Sequence, residues 1–120
     1  MFGRFASAPD SLAYDPVEAV RGAASGAVTL IDLREPAEVK ATGRAKDALH
    51  IPLAALRMKA DPASPEQIPA FRSGKPVVLY CATGSRSQMA TRMLRQMGLD
   101  AVFNLGGLSD WQRAGGDIAR

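Results

Sequence analysis

The chain has 120 residues, enough for one domain with a single hydrophobic core and too few for two. Hydrophobic residues make up 47% and charged residues 22%, and the net charge is only +3, values typical of a soluble globular protein. Because the lysines and arginines are scattered rather than clustered, we expect no nucleic-acid-binding surface. No apolar run approaches the length of a membrane span, so we expect no insertion into a membrane.

Cys81 is the only cysteine in the chain and His50 is the only histidine. A single cysteine excludes an internal disulfide, and a single histidine excludes a multi-histidine metal centre. We therefore expect no Cys-rich zinc site and no multi-histidine metal centre. The N-terminal segment lacks the apolar stretch of a secretory signal, which favours a reducing, cytoplasmic setting.

Strands and helices alternate at short intervals along the chain. We predict strands over residues 27–31, 48–51, 77–80 and 101–104, with a short edge strand near 12–13. We predict helices that start at or near residues 16, 35, 53, 65, 87 and 108. This alternation favours an α/β fold with a mostly parallel sheet, in which residues 1–10 are a lead-in and residues 11–120 form one domain.

The segment from residue 76 to residue 97 carries the strongest chemical signal. Its apolar run Val77–Tyr80 predicts a buried strand that ends at Cys81, and a helix is predicted to begin at Ser87. In an open α/β sheet, ligands bind outside the carboxyl ends of the strands. We also expect Met89, one of three methionines at helical spacing, to pack in the core.

The loop between this strand and this helix is rich in Gly, Ser and Thr. We expect the amides of residues 82–87 to point inward and to form a concave nest of positive partial charge. Such a nest lowers the pKa of a cysteine, so Cys81 is predicted to be a thiolate open to solvent. Arg86, placed just before the predicted helix, adds a full positive charge.

Three sequence blocks resemble the motifs of one family, the rhodanese-like sulfurtransferases. Residues 30–38 are similar to its D-x-R-x-x-x-E segment, residues 81–87 match its active-site loop C-x-x-G-x-R-S, and residues 104–115 are similar to its L-x-G-G-x-x-x-W-x-x-x-G ending. The three blocks occur in the family's order and at similar separations. The resemblance implies a three-layer fold with a central, mostly parallel sheet of about five strands flanked by helices.

The resemblance also implies a reaction, that of a thiosulfate sulfurtransferase, which requires no metal or organic cofactor. The thiolate of Cys81 would take a sulfane sulfur from thiosulfate or a persulfide donor, and the resulting persulfide would pass it to cyanide or a thiol. The residues implied in substrate binding are Ala82, Thr83, Gly84, Ser85, Arg86 and Ser87. The implied partners are a small sulfur-containing anion and a thiol acceptor, and the basic charge suits an acidic acceptor protein.

Several other residues are expected to stabilise the fold or the loops around the site rather than to take part in the reaction. Asp32 and Arg34 are expected to form a salt bridge that fixes the loop after a strand, with Glu38 in a similar role. His50 is expected to be a satisfied core or edge residue. Gly106–Gly107 are expected to form a tight turn. In addition, a basic rim around the site is expected from Arg34, Arg44 and Lys46.

Two alternative functions stay open at this point. The first is a sulfur-carrier or regulatory binding module with little turnover, and the second is a phosphatase or arsenate reductase. Relatives that act on phosphate or arsenate have one more residue in the loop, so the six residues Cys81–Arg86 favour sulfur. The chain also departs from the family: Arg44 stands in place of a frequent histidine, and Val39 in place of an aromatic residue.

Overall fold

The central sheet of the computed structural model, which describes residues 11–120, consists of four parallel strands. The predicted lead-in, residues 1–10, lies outside the described residues. The strands are β1 (Thr29–Asp32), β3 (Leu49–His50), β4 (Val77–Cys81) and β5 (Val102–Gly107), and their order across the sheet is β3-β1-β4-β5. A parallel bridge from Ala13 to Asn104 extends the β5 edge, where the short edge strand was predicted.

In the part of the chain that the structure describes, five α-helices connect and cover the strands. They are α1 (Pro16–Ser25), α2 (Pro36–Thr42), α3 (Leu53–Ala60), α4 (Ser85–Gln96) and α5 (Leu108–Arg113). The helix predicted from residue 65 is only a short 3₁₀ helix, Pro69–Arg72. A small antiparallel pair, β2 (Arg44–Ala45) with β6 (Ile118–Ala119), was not predicted. Within residues 11–120, no helix is both long and apolar enough to cross a bilayer.

The first helix shows how local sequence sets the bounds of an element. The carboxylate of Asp15 accepts a hydrogen bond of 2.9 Å from the amide of Val17, and Pro16 occupies the first helical position. Gly26 ends the helix in the left-handed region, with φ 81°, and its amide donates to the carbonyl of Gly22. The start of this helix is the one that the sequence predicts.

The side chains of β4 alternate between two hydrophobic clusters, one on each face of the sheet. Val78 and Tyr80 pack towards α1 and α5, whereas Val77 and Leu79 pack towards α3 and α4. All five residues of this strand are buried, as expected of a parallel strand covered on both faces. The same alternation directs Cys81 to the α4 side, at the carboxyl end of the sheet.

Candidate active site

Cys81 ends β4 beneath the loop that leads into α4. Its Sγ atom lies 3.1 Å from the amide nitrogen of Gly84 and 3.4 Å from the hydroxyl oxygen of Ser87. The amide of Gly84 therefore points inward, as predicted for this loop. The expectation that the thiol is open to solvent is wrong, because the exposed fraction of Cys81 is 0%. The sulfur is therefore closed to solvent in this structure.

The surroundings of Cys81 favour its ionised form. Burial by itself would raise the pKa of the thiol, but the hydroxyl and amide of Ser87 and the amides of Gly84 and Thr83 oppose it. The net result is a pKa lower than the ordinary value of 9.0. A lowered thiol pKa is one requirement of a nucleophilic cysteine.

The helix that follows the loop begins earlier than predicted, at Ser85 rather than at Ser87. Gly84 precedes it with φ 102°, a left-handed conformation that glycine adopts without a Cβ penalty. Arg86 consequently lies in the first helical turn and not before it. Among the loop side chains, those of Ala82, Thr83 and Ser85 are exposed, while Ser87 is buried against the sulfur.

Arg86 is held by a residue of another helix. Its two terminal nitrogens donate to the two carboxylate oxygens of Glu38, at 2.8 and 2.9 Å. The same carboxylate accepts a hydrogen bond of 2.9 Å from the amide of Glu35. The Arg86 hydrogen bonds, with that of Glu35, lower the pKa of Glu38 to about 2. The contact with Glu38, together with the thiol of Cys81, raises the pKa of Arg86 above its ordinary value.

The predicted salt bridge between Asp32 and Arg34 is present and fully buried. The Nη2 atom of Arg34 lies 2.8 Å from a carboxylate oxygen of Asp32, and it also donates to the carbonyl of Gly43 at 2.6 Å. The phenol of Tyr80 donates to the same carboxylate oxygen of Asp32 at 2.6 Å, and it accepts a hydrogen bond from the amide of Ala45. Burial and the contact with Asp32 raise the pKa of Tyr80.

This burial corrects the predicted basic rim. Arg34 is only 2% exposed and lies inside the fold, so it cannot belong to a rim. Arg44 and Lys46 are exposed, and Arg44 uses its Nε atom to donate to the carbonyl of Ala48. Arg44, which stands in place of the family histidine, therefore braces the segment before β3.

Gly106–Gly107 do not form the predicted tight turn but lie at the end of β5, beside the cysteine loop. A Cβ atom at Gly107 would lie 2.4 Å from the carbonyl oxygen of Ala82, closer than real side chains approach backbone. A Cβ atom at Gly84 would likewise lie 3.1 Å from the Cα atom of Gly106. The glycines thus allow the strand and the loop to lie backbone against backbone.

Two further sequence interpretations have clear outcomes. The ring of His50 lies 2.8 Å from the carbonyl oxygen of Arg34, so its Nε2 atom is satisfied by the backbone. The prediction that Met89 packs in the core is wrong, because 63% of this residue is exposed. Met93 and Met97 do pack against the cluster that α3 and α4 cover.

Comparison with known proteins places this geometry in a family. A sequence model described as the rhodanese-like domain matches residues 15–114. A sulfurtransferase of Allochromatium vinosum is 42% identical over 89 residues, which are 73% of this chain and 75% of that protein.

Two solved structures extend the similarity to three dimensions. One, from Rhodopseudomonas palustris, is described as a protein of unknown function and possible tyrosine phosphatase. It is 30% identical with a TM-score of 0.80, over 99% of this chain and 97% of that one. The other, a human single-domain sulfurtransferase, is 27% identical with a TM-score of 0.68, over 86% and 96% of the two chains. The predicted α/β class is confirmed by this fold.

Proposed function

Because the chain belongs to the rhodanese-like domain family, whose relatives include sulfurtransferases, we propose that it transfers a sulfane sulfur from thiosulfate or a persulfide donor through Cys81. The observation that carries the proposal is the contact between the amide of Gly84 and the sulfur, 3.1 Å, at the N-terminal end of α4. An amide so placed stabilises negative charge on a sulfur atom.

The proposed reaction has two displacements. The thiolate of Cys81 attacks the outer sulfur of thiosulfate, a new S–S bond forms, and the S–S bond of the donor breaks. Sulfite leaves with the electron pair of that bond, and the enzyme holds an anionic cysteine persulfide. Cyanide or a thiolate then attacks the outer sulfur, and thiocyanate or a new persulfide leaves while Cys81 returns as a thiolate.

The site supports both displacements with the same groups. The amides of Thr83 and Gly84 face the sulfur and favour its ionised form, and they remain close to the negative charge when it moves to the outer sulfur. Arg86 contributes a positive charge near the thiol. Both of its terminal nitrogens bind Glu38, so they are not free to bind the donor directly. Arg86 therefore contributes through the electrostatic potential of its positive charge near the sulfur.

Intact-mass spectrometry after incubation with thiosulfate tests the proposal. We expect a gain of one sulfur, and we expect prior alkylation of Cys81 or the substitution Cys81→Ser to abolish it. Thiocyanate formation in the presence of cyanide must be lost in the same variant. Retained activity in Cys81→Ser, or no sulfur gain in the native chain, would overturn the assignment.

The same samples separate the proposed enzyme from the two alternatives. A sulfur carrier with little turnover would gain one sulfur but form no more thiocyanate than one equivalent per chain. A phosphatase, the activity suggested for the Rhodopseudomonas palustris protein, would hydrolyse p-nitrophenyl phosphate. We expect repeated turnover with cyanide and no hydrolysis of that phosphate ester.

We further propose that the natural acceptor is a thiol on an acidic protein, which docks on the surface made by α3 and α4. These helices carry no aspartate or glutamate, and their basic residues are Arg57, Lys59, Arg86, Arg92 and Arg95. Arg57 and Arg92 are exposed, and so are Met58 and Met89. Because Met89 lies one helical turn beyond Ser85, this surface begins beside the cysteine loop.

A further inference from the structure

Asn104, the only asparagine in the chain, lies in β5 next to the cysteine loop. Its Nδ2 atom donates to the carbonyl of Gly84 at 3.3 Å and to the side-chain oxygen of Gln88 at 2.9 Å. Its Oδ1 atom accepts a hydrogen bond of 3.0 Å from the amide of Gly106. One side-chain amide therefore joins β5 to the loop residue Gly84 and to the second turn of α4.

The orientation of this amide is determined by its partners. The amide of Gly106 can only donate, so it must face the oxygen of Asn104. The carbonyl of Gly84 can only accept, so it must face the nitrogen. No other side chain of similar size offers a donor and an acceptor in this arrangement, since an aspartate has no N–H and a leucine has neither.

Gly84 is also the residue whose amide contacts the sulfur of Cys81. Its carbonyl accepts three hydrogen bonds, from the amide of Gln88 at 2.9 Å, from the hydroxyl of Ser87 at 3.1 Å and from Asn104. Gln88 and Ser87 belong to α4, so Asn104 is the partner that ties this carbonyl to β5. Gly84 has φ 102° and no side chain of its own to restrict it. Its direction is therefore set by these hydrogen bonds and by its contact with β5.

We propose that Asn104 is a positioning residue for Cys81: by tying Gly84 to β5, it keeps the cysteine loop, and with it the amide of Gly84, in place against the sulfur. Asn104 does not touch the sulfur and acts only through the loop. Loss of its side chain leaves the carbonyl of Gly84 to the amide of Gln88 and the hydroxyl of Ser87, which both belong to α4. Gly84 then loses this tie to the sheet that carries Cys81. The thiolate then loses part of its stabilisation, and the thiol becomes harder to ionise.

The pH dependence of alkylation by iodoacetamide tests this proposal, because only the thiolate reacts. In Asn104→Ala we expect the midpoint of the rate profile to rise by about one pH unit relative to the native chain. Asn104→Ser, a smaller change that keeps a polar side chain, provides a second variant in case the first does not fold. The native chain contains only one cysteine, so the profile reports on Cys81 without correction.

Arg95→Lys is the matched control. Arg95 also joins α4 to β5, through a hydrogen bond of 2.9 Å to the carbonyl of Val102 and a stacking contact with the ring of Phe103. The substitution weakens the contact between α4 and β5 at a place away from Gly84, and it keeps the positive charge of residue 95. We expect a lower midpoint of thermal unfolding but an alkylation profile that coincides with that of the native chain.

A purely structural role for Asn104 predicts a different pattern. Its variants would then unfold more easily while the midpoint of alkylation stayed at the native pH, and that result would overturn the proposal. An equal shift of the alkylation midpoint in Arg95→Lys would overturn it as well. Any weakening of the contact between α4 and β5 would then raise the pKa of Cys81, and Asn104 would have no special role. The measurement needs no sulfur donor or acceptor, so its outcome is independent of whether the chain is a sulfurtransferase.

Discussion

Glu38 and Arg86 form a two-pronged ion pair that joins α2 to the first turn of α4. A carboxylate and a guanidinium in this geometry make two parallel charge-assisted hydrogen bonds, which restrict the arginine as well as bind it. On the opposite side, Asn104 binds the carbonyl of Gly84. The cysteine loop is therefore held from both flanks by side chains that do not belong to it.

We expect Arg86→Ala to weaken the binding of thiosulfate more than it slows the chemical step. The substitution removes a positive charge near Cys81 and leaves the carboxylate of Glu38 without its partner, so a dianionic donor meets a less favourable field. Steady-state kinetics should show KM for thiosulfate raised by about tenfold or more, with a smaller change in kcat. An unaltered KM would contradict this role for Arg86.

Glu38→Gln is the matched variant for that measurement. It retains the positive charge of Arg86 but removes the charge of its partner. We expect KM for thiosulfate to stay the same or to fall, because the guanidinium is released towards the donor. A rise in KM as large as that of Arg86→Ala would show that the position of the arginine matters more than its charge.

The pKa of Glu38 predicts how stability depends on pH in acid. It is about 2 in the folded chain, below the ordinary value of 4.5, so the folded state binds this proton less readily than the unfolded state. The stabilisation from the ion pair is therefore present above pH 4.5 and is lost as the pH falls towards 2. Urea unfolding of the native chain and of Glu38→Gln should give free energies that differ above pH 4.5 and converge towards pH 2.

Glu66→Gln provides the control for the acid measurement. Glu66 pairs with Lys59 at 3.3 Å on the surface, where both side chains are more than a third exposed. Such a pair contributes little, so the free energy of unfolding should change little at any pH. If Glu38→Gln behaves in the same way as this control, the ion pair with Arg86 does not stabilise the fold.

The parts of the molecule that the sequence predicts well are those set by neighbours in the chain. The helix capped by Asp15 and Gly26, and the strand that ends at Cys81, depend on local hydrogen bonds and on a continuous apolar run. The inward amides of the cysteine loop are predictable for the same reason, since Cys81 and Gly84 are three residues apart. Interactions between residues close together in the chain are sufficient to determine these three features.

The parts that sequence reasoning missed depend on contacts between distant segments. Glu38 and Arg86 are 48 residues apart, and nothing in either segment indicates the pairing. The close approach of Gly107 to Ala82 likewise exists only because β5 lies beside β4. The small β2–β6 pair was missed because its two strands are far apart in the chain and neither contains an apolar or alternating run.

We expect Gly107→Ala to impair the site by displacing the loop. The new Cβ atom would lie 2.4 Å from the carbonyl oxygen of Ala82, a backbone atom that cannot move without moving the loop after Cys81. Overpacking of this kind costs about 1–3 kcal/mol in stability. Gly98→Ala, which meets no atom within 4 Å but has φ 96°, is a control with a strained backbone far from the loop. We expect sulfur transfer to fall in Gly107→Ala alone, and equal activities would contradict the steric argument.

The buried network around Asp32 predicts a ranking of stabilities. Arg34→Met leaves the carboxylate of Asp32 buried without its cation, which costs about 3–5 kcal/mol. Tyr80→Phe removes one neutral donor and leaves the amide of Ala45 without its acceptor, which costs about 1–3 kcal/mol. Asp32→Asn combined with Arg34→Met should be more stable than Arg34→Met alone, because it removes the isolated charge. Urea unfolding measures all three, and an equally stable Arg34→Met and Tyr80→Phe would contradict the ranking.

If an acidic acceptor docks on the surface made by α3 and α4, reversing the charge of that surface should slow sulfur transfer to an acidic acceptor and leave transfer to a neutral acceptor unchanged. Two cysteine peptides of equal length, one rich in Asp and Glu and the other in Ser, serve as acceptors of sulfur from Cys81. We expect Arg57→Glu with Arg92→Glu to slow transfer to the acidic peptide by about tenfold at low salt and to leave transfer to the serine peptide unchanged. Arg21→Glu, a reversal on α1 across the sheet, should change neither rate. Equal rates for the two peptides with the native chain would show that this surface does not select an acidic partner.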